Sequence, residues 1–424
     1  MRVFEAFLSC GSVSTDTRSI TPGSVFFALK GASFNGNSFA LQALQAGASF
    51  AVVDEPVGND SRLIFVDNVL TALQECALKY RRYLNVPTIG LTGSNGKTTT
   101  KELFHVVLSK KYKVHSTKGN FNNHIGVPLT ILNAPKETEV LIVEMGANHQ
   151  KEIAQLAAIA EPNLGYITNY GKAHLEGFGG VDGIIKGKSE LYDFLAQNDQ
   201  SVALVNSDDT IQVNKSSVCE RITFGRSAAQ FNYTNEVKDE FACIQFSIGA
   251  KSYSIHSKLS GSFNCTNLGA AVALGCYFNV PPMELVVALT DYVPAMNRVE
   301  WRKTASNRIL LDAYNANPTS MSLSIENFAK WHKDGWLVLG DMFELGKESA
   351  AEHQAIVELV QQTNMEERCI LVGKHFGKTS WRGKQFPTTG DLETHWNENG
   401  APEDAAILLK GSRGIALEQL LPLL

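Results

Sequence analysis

Several absences bound what this chain can be. Its seven cysteines are scattered, odd in number and never spaced as C-x-x-C. That argues against a disulfide framework or a zinc knuckle and fits a reducing compartment. No apolar run approaches the ~20 residues of a membrane-spanning helix. The opening stretch, MRVFEAFLSC, carries one Arg and a very short apolar run before turning polar, a poor secretory signal. Positive charge is not in surplus: 38 Lys and Arg face 43 Asp and Glu, for a net charge of -5. A general nucleic-acid binder shows the opposite balance. Short-period repeats and low-complexity tracts are also missing. These absences predict a cytoplasmic protein with no nucleic-acid partner and no membrane span.

What is present is ordinary for a globular chain, with 44% hydrophobic and 19% charged residues. A length of 424 residues exceeds one ordinary core and implies two to four domains. Three blocks are expected. Residues 1–84 hold short strand-like pieces (SVFFALKG, SFAVVDE, LIFVDN) and one helical stretch, VLTALQECALKYRRYL, before NVP breaks the pattern. Residues 85–296 alternate near-continuous apolar strands (EVLIVEMG, LGYITN, SVALVN) with helices, the pattern of a parallel sheet covered on both faces. Within them, FACIQFSIGAKSYSIHSKL alternates and predicts local antiparallel strands. Residues 297–424 repeat the α/β rhythm through RILLDAY, GWLVLGDM, RCILVG and AAILLKGS. The expected fold class is α/β, and ligands in such folds sit beyond the carboxyl ends of the strands.

The stretch LTGSNGKTTTKEL, Leu91 to Leu103, has the chemistry of a phosphate site. Gly93, Gly96, Lys97 and Thr98 spell G-x-x-G-K-T between a strand and a helix. Glycines let the backbone turn tightly and aim N–H groups inward, and the helix start adds its positive dipole end. Lys97 can reach terminal phosphates and the Thr98 hydroxyl can ligate Mg²⁺. The gap between the glycines is two residues, where the common P-loop has four. A plain strand-to-helix turn with an exposed Lys is the competing reading.

The loop resembles that of the Mur ligase family, T-G-[TS]-N-G-K-T-[TS], which has this shortened spacing. Further segments resemble the family in the right order: STDTRSITPGSVFFALKGASFNGNSFA, TKGNFNNHIGVPLTIL, VEMGANHQKEI, ITNYGKAHLEGFGG, KGKSELY, GSFNCTNLGAA, NRVEW, LLDAYNANPTSMSLSIENF and VLGDMFELG. Most of the chain is covered. The resemblance implies three domains: a small α/β N-terminal domain at 1–84 that binds the UDP-substrate, a central parallel-sheet P-loop ATPase domain at 85–296, and a Rossmann-like C-terminal domain at 297–424. AHLEGFGG, DAYNANPTSM and GDMFELG most resemble the branch that adds D-alanyl-D-alanine to UDP-N-acetylmuramoyl-tripeptide; the D-N-P-R motif of the diamino-acid branch is missing. In the first block DTR stands where D-S-R is common, and NGNSF where D-G-H-x-F is common.

The implied reaction is ATP-dependent amide formation through an acyl phosphate, with two Mg²⁺ ions, by a protein expected to act as a monomer. The alternatives are another Mur-type ligase, a folylpolyglutamate synthetase, or a P-loop protein that binds nucleotide without catalysis. Phosphorylating a carboxylate brings two anions together, so cations must neutralise them. Glu144, at the end of EVLIVE, sits where a Mg²⁺ ligand belongs in such a fold; capping the next helix is its plain alternative. His174 resembles the family's second-metal ligand, although imidazole is an unusual partner for Mg²⁺. Lys188 lies fourteen residues after His174, the position of the family's carbamylated lysine, with Lys186 a nearby competitor. A carbamate at Lys188 would give metals an anionic oxygen where an ammonium would repel them. ATP is expected on Gly93, Ser94, Asn95, Gly96, Lys97, Thr98 and Thr99, with Asn267 at the adenine and Arg298 clamping phosphates. Asp312, Tyr314 and Asn315 match the segment that contacts ribose and base. The UDP-sugar peptide is expected at Lys118, Asn120, Asn122 and Asn123, with Thr17, Arg18 and Asn35 serving the nucleotide end. Asp208 and Asp209 are read as a turn or cap, and LLKGSRG is given no ATP role.

Overall fold

The computed structural model describes residues 2–236, 239–294 and 299–424. Its principal strands sort into three sheets, giving the three-domain α/β architecture expected from the alternating pattern. The first sheet is parallel throughout, in the order Val13–Ser14, Val25–Phe27, Phe50–Val53, Leu63–Phe65. Helix Val69–Leu84 then leads out of this unit. Its buried residues, Val69, Leu73, Cys76, Ala77 and Tyr80, recur at helical spacing and form one apolar face. Asn68 caps the start by accepting from the Thr71 N–H at 2.9 Å, and Asn85 ends the helix with a left-handed φ of 48°. The helix also joins the first unit to the second. Tyr80 donates its hydroxyl to the Ala134 carbonyl, and the buried Arg81 guanidinium donates to the Ala160 and Glu161 carbonyls and the Asn163 side chain.

The middle sheet has nine strands. Thr88–Thr92 lies between Val140–Glu144 on one side and Leu164–Ile167 on the other, parallel to both. The chain therefore leaves this strand in one direction and returns on the opposite flank, which makes its carboxyl end a topological switch point. All five residues of Thr88–Thr92 are buried, as a two-face-covered strand requires. Beyond Leu164–Ile167 the sheet continues through Val202–Asn206, Glu220–Gly225 and Phe231–Glu236. It ends in the expected antiparallel hairpin, Phe241–Ile248 with Lys251–Ser260.

The third sheet runs Glu300–Lys303, Arg308–Asp312, Ala406–Lys410, Trp336–Gly340, Cys369–Val372, Lys384–Phe386. Only the first pair is antiparallel. Asp312 and Lys410 end neighbouring parallel strands in register, so their side chains emerge together at the carboxyl edge. Among the described residues, no helix is long and apolar enough to cross a membrane.

Candidate active site

Strand Thr88–Thr92 runs into the loop, and helix Lys97–Leu108 rises from it. Two glycines are required by geometry. Gly93 has a φ of 141°, and a Cβ there would lie 1.9 Å from Thr168 Oγ1. Gly96 has a φ of 78° and faces the Asn267 amide. The loop is braced by the end of the next strand. Thr168 Oγ1 and Asn169 Nδ2 donate to the Asn95 carbonyl at 2.6 and 2.9 Å, and Ser94 N–H donates to the Asn169 carbonyl at 3.0 Å. Lys97 Nζ folds back over the loop, donating to the Gly93 carbonyl at 2.7 Å and the Ser94 carbonyl at 3.2 Å.

Glu144 is buried at the end of its strand and faces the helix start. Thr98 Oγ1 donates to its carboxylate at 3.0 Å and Asn122 Nδ2 at 2.9 Å. The Glu144 backbone N–H donates to Thr117 Oγ1 at 3.0 Å. Hydroxyl and carboxylate oxygens thus meet beside the phosphate loop, the hard donor set that suits Mg²⁺. Among the described residues no three His, Cys, Asp or Glu side chains converge as a ready-made cage.

His174 adopts a φ of 54°, a left-handed conformation that costs a non-glycine residue about 1–2 kcal/mol. Its Nδ1 meets the Glu344 carboxylate, carried by the loop after strand Trp336–Gly340. The imidazole beside it holds the Glu344 carboxyl below its ordinary range.

Lys188 lies on helix Val181–Leu195. It is wholly buried, its Nζ has no hydrogen-bond partner, and the amine sits 4.9 Å from the centre of the Phe178 ring. Burial, with the Lys97 charge adding to it, pushes its pKa well below the ordinary lysine value. A neutral amine is the form that reacts with CO₂, so the site fits carbamylation.

A cleft of about 950 Å³ opens over the loop between the second and third units. It gathers Ser94, Asn95, Gly96, Lys97, Thr98, Thr99, Glu144, His174, Asn267, Asp312, Tyr314 and Asn315 along its walls. Asn120, Asn122 and Asn123 line it from the substrate segment. Gly93 and Lys188 lie outside the lining, and Lys118 is exposed beyond it. Arg298 falls outside the described residues. Thr17, Arg18 and Asn35 belong to the first unit, away from the cleft lining. There Arg18 pairs with Asp16, while Asn35 donates to Glu55 and accepts from Asn37. Asn264 does not cap its helix; its Nδ2 donates to the Ser260 carbonyl, and its Oδ1 accepts from Asn267. Asp209 does act as a cap, accepting from the N–H groups of Ile211 and Gln212.

Sequence reasoning missed four contributors. Lys410, from the dismissed LLKGSRG, is buried in the cleft wall and grips the Asp312 carboxylate, which Ser324 also holds at 3.0 Å. Its signal was a lysine directly after the apolar run AILL at a strand's carboxyl end. Asn317 reaches across to Asn95, Nδ2 to Oδ1 at 2.7 Å. Thr168 and Asn169 lie in ITNYGKAHLEGFGG, where sequence reasoning gives a role to His174 alone.

Compared with known proteins, residues 10–81 match the family model described as Mur ligase family, catalytic domain, residues 91–275 the Mur ligase middle domain, and residues 297–413 the Mur ligase glutamate ligase domain. The chain is 36% identical to a Bacillus subtilis relative across 96% of its own length and 92% of the relative's. This chain belongs to the Mur ligase family. An Escherichia coli relative is 33% identical over 98% of this chain and 94% of its own. Both relatives bear the name UDP-N-acetylmuramoyl-tripeptide–D-alanyl-D-alanine ligase. A crystal structure of MurF from Acinetobacter baumannii superposes with a TM-score of 0.87 at 30% identity, covering 97% of this chain and 92% of that one. In this Mur ligase, residues of TGSNGKTT and DAYNANP and His174 of AHLEGF line one cleft.

Proposed function

We propose that this chain is an ATP-dependent ligase that joins D-alanyl-D-alanine to UDP-N-acetylmuramoyl-tripeptide in peptidoglycan precursor synthesis, releasing ADP and phosphate. The observation that carries this reading is likeness over 96% and 98% of the chain to two relatives named for that reaction. The cleft supports it, because phosphate loop, acidic strand end and third-unit strand ends face one another there.

In this reading residues 1–84, 85–296 and 297–424 are the units that hold, respectively, the UDP-substrate, the ATP phosphates and the far side of the nucleotide. The loop N–H groups and Lys97 bind the triphosphate tail, and Lys97 exchanges its loop carbonyls for phosphate oxygens. Thr98 and Glu144 would hold Mg²⁺, with His174 and a carbamylated Lys188 serving a second ion; bound there, the metal would neutralise charge between phosphate and carboxylate. Asn120, Asn122, Asn123 and Lys118 orient the peptide so that its terminal carboxylate meets the γ-phosphoryl group. The acyl phosphate is then attacked by the dipeptide amine, and the tetrahedral adduct expels phosphate. Asn267, Asp312, Tyr314 and Asn315 hold base and ribose, and Arg298 closes on the phosphates. Thr17, Arg18 and Asn35 serve the uridine end. The contacts from Asn317 to Asn95 and from Glu344 to His174 keep the third unit over the loop and exclude water from the acyl phosphate. The protein works as a cytoplasmic monomer.

An amine-selection assay tests this. Purified protein with ATP and UDP-N-acetylmuramoyl-tripeptide releases phosphate when D-alanyl-D-alanine is added. Turnover only with a diamino acid or with a folate and glutamate would replace the reading with another ligase of the family. Nucleotide binding with no amine-dependent turnover would leave a non-catalytic P-loop protein.

A further inference from the structure

Lys101 is one of the largest fully buried side chains of the molecule, and nothing in the reaction described above uses it. It lies one turn into the helix that rises from the phosphate loop, after Lys97 and Thr98. Its Nζ donates to the Thr117 carbonyl at 2.5 Å and pairs with the half-buried Glu102 at 2.9 Å. Thr117 is itself buried, and its hydroxyl accepts the Glu144 N–H. Five residues further on, the same segment supplies Asn122, whose amide donates to the Glu144 carboxylate that Thr98 also holds. A buried ammonium is costly unless well bonded, so a lysine retained here does something an apolar side chain would not.

We propose that Lys101 is a positioning residue: by gripping the Thr117 carbonyl it fixes strand end and substrate segment to the loop helix, so that Glu144 faces Thr98. The proposal rests on the reading of Glu144 and Thr98 as Mg²⁺ ligands. Through Thr117 the ammonium sets the height of the Glu144 backbone, and through the same residue it sets where the segment carrying Asn120, Asn122 and Asn123 begins. Partners one step removed from a metal ligand commonly tune affinity by 10- to 100-fold.

The test is Mn²⁺ binding in the presence of ADP, followed by electron paramagnetic resonance on the full chain, with circular dichroism to establish folding. Glu144→Gln is the control for the metal site and loses Mn²⁺ binding. Lys101→Met weakens Mn²⁺ binding by roughly 10- to 100-fold while ADP binding without metal holds. Thr117→Val follows Lys101→Met, and Thr117→Ser, which keeps the hydroxyl, stays near the parent. Wild-type Mn²⁺ affinity in folded Lys101→Met, with Glu144→Gln impaired, overturns the proposal alone. Should Lys101→Met not fold, Lys101→Gln takes its place, and wild-type Mn²⁺ affinity in that variant overturns the proposal. Wild-type affinity in Glu144→Gln instead overturns the metal reading on which it stands.

Discussion

Replacing Lys188 by Met separates stability from activity. The parent amine is wholly buried, makes no hydrogen bond and has the Phe178 ring as its neighbour. An unsatisfied buried polar group costs about 1–3 kcal/mol, more if charged. Met has nearly the same length and shape and carries no such cost, so Lys188→Met should stabilise the middle unit by about 1–3 kcal/mol at neutral pH. Direction with pH follows from linkage. The folded-state pKa lies well below the ordinary 10.5. Between those two values the unfolded chain binds more protons than the folded one, so parent stability rises with pH across that window. The Met variant lacks that rise, and the gap between the two proteins narrows as pH approaches 10.5. All five tryptophans lie in the third block, so fluorescence would report on the wrong unit. The assay is amide hydrogen exchange of strands Thr88–Thr92 and Val202–Asn206, in CO₂-free and metal-free buffer, corrected for intrinsic rates. Amide-bond formation should be lost in the same variant. A Met variant less stable than the parent, with the same pH slope, would show that the amine is paired in the fold and refute the reasoning.

Three further outcomes are expected. Gly93→Ala should abolish ATP binding and destabilise the protein, because a Cβ would overlap Thr168 Oγ1 at a backbone angle that L residues avoid; Gly96→Ala, whose nearest contact is 3.3 Å from the Asn267 amide, should do less. Calorimetric ATP titration and thermal unfolding measure both, and equal effects would contradict the steric argument. Asn317→Ala removes a helix cap worth about 1 kcal/mol and the bond to Asn95; it should lower turnover more than Asn317→Ser, which keeps the cap. Arg81→Met should leave ATP binding intact, since Arg81 is not part of the cleft lining, but speed exchange in helix Val69–Leu84 and raise the KM for the UDP-precursor by loosening the joint. A change confined to kcat would locate Arg81's effect elsewhere.

The strands that were legible in the sequence share one property. VLIVE, LGYI, VALVN, WLVLG and AILLK are buried on both faces, so their apolar runs are continuous and unmistakable. Helix Val69–Leu84 was legible because its caps and its apolar spacing agree. Short edge strands were not. Val114–Ser116 and Lys384–Phe386 are partly exposed and owe their existence to pairing with a neighbour, a non-local cause no window of residues contains. The candidate site divides in the same way. TGSNGKTT is contiguous, and its glycines and lysine are visible in one window. Lys410 is invisible because its meaning is its register partner, Asp312, almost a hundred residues earlier.

In the proposed reaction, cross-unit contacts decide as much as the phosphate loop whether chemistry can occur. A loop that folds Lys97 back on its own carbonyls can bind phosphate, yet nothing in it protects an acyl phosphate from water. In the proposed reaction protection falls to the third unit, which reaches the second through Asn317 to Asn95, Glu344 to His174, Lys172 to Glu352 and the Lys172 N–H to Thr319. On the second unit the partners sit in loops, and on the third they are the cap and first turns of helices Pro318–Trp331 and Ser349–Gln362 and the loop residue Glu344. Separating the sheets by a few ångströms would break all four together, and would also withdraw Asp312 and Tyr314 from the cleft wall. Cutting one partly exposed pair, as in Lys172→Ala, should therefore change turnover little, because exposed ion pairs contribute about 0–1 kcal/mol. Asn317→Ala combined with Glu344→Ala should cost more than the product of the two single effects. Measured kcat values in this double-mutant cycle decide the point: strict additivity would mean that the contacts act independently and that closure of the third unit is not one concerted event.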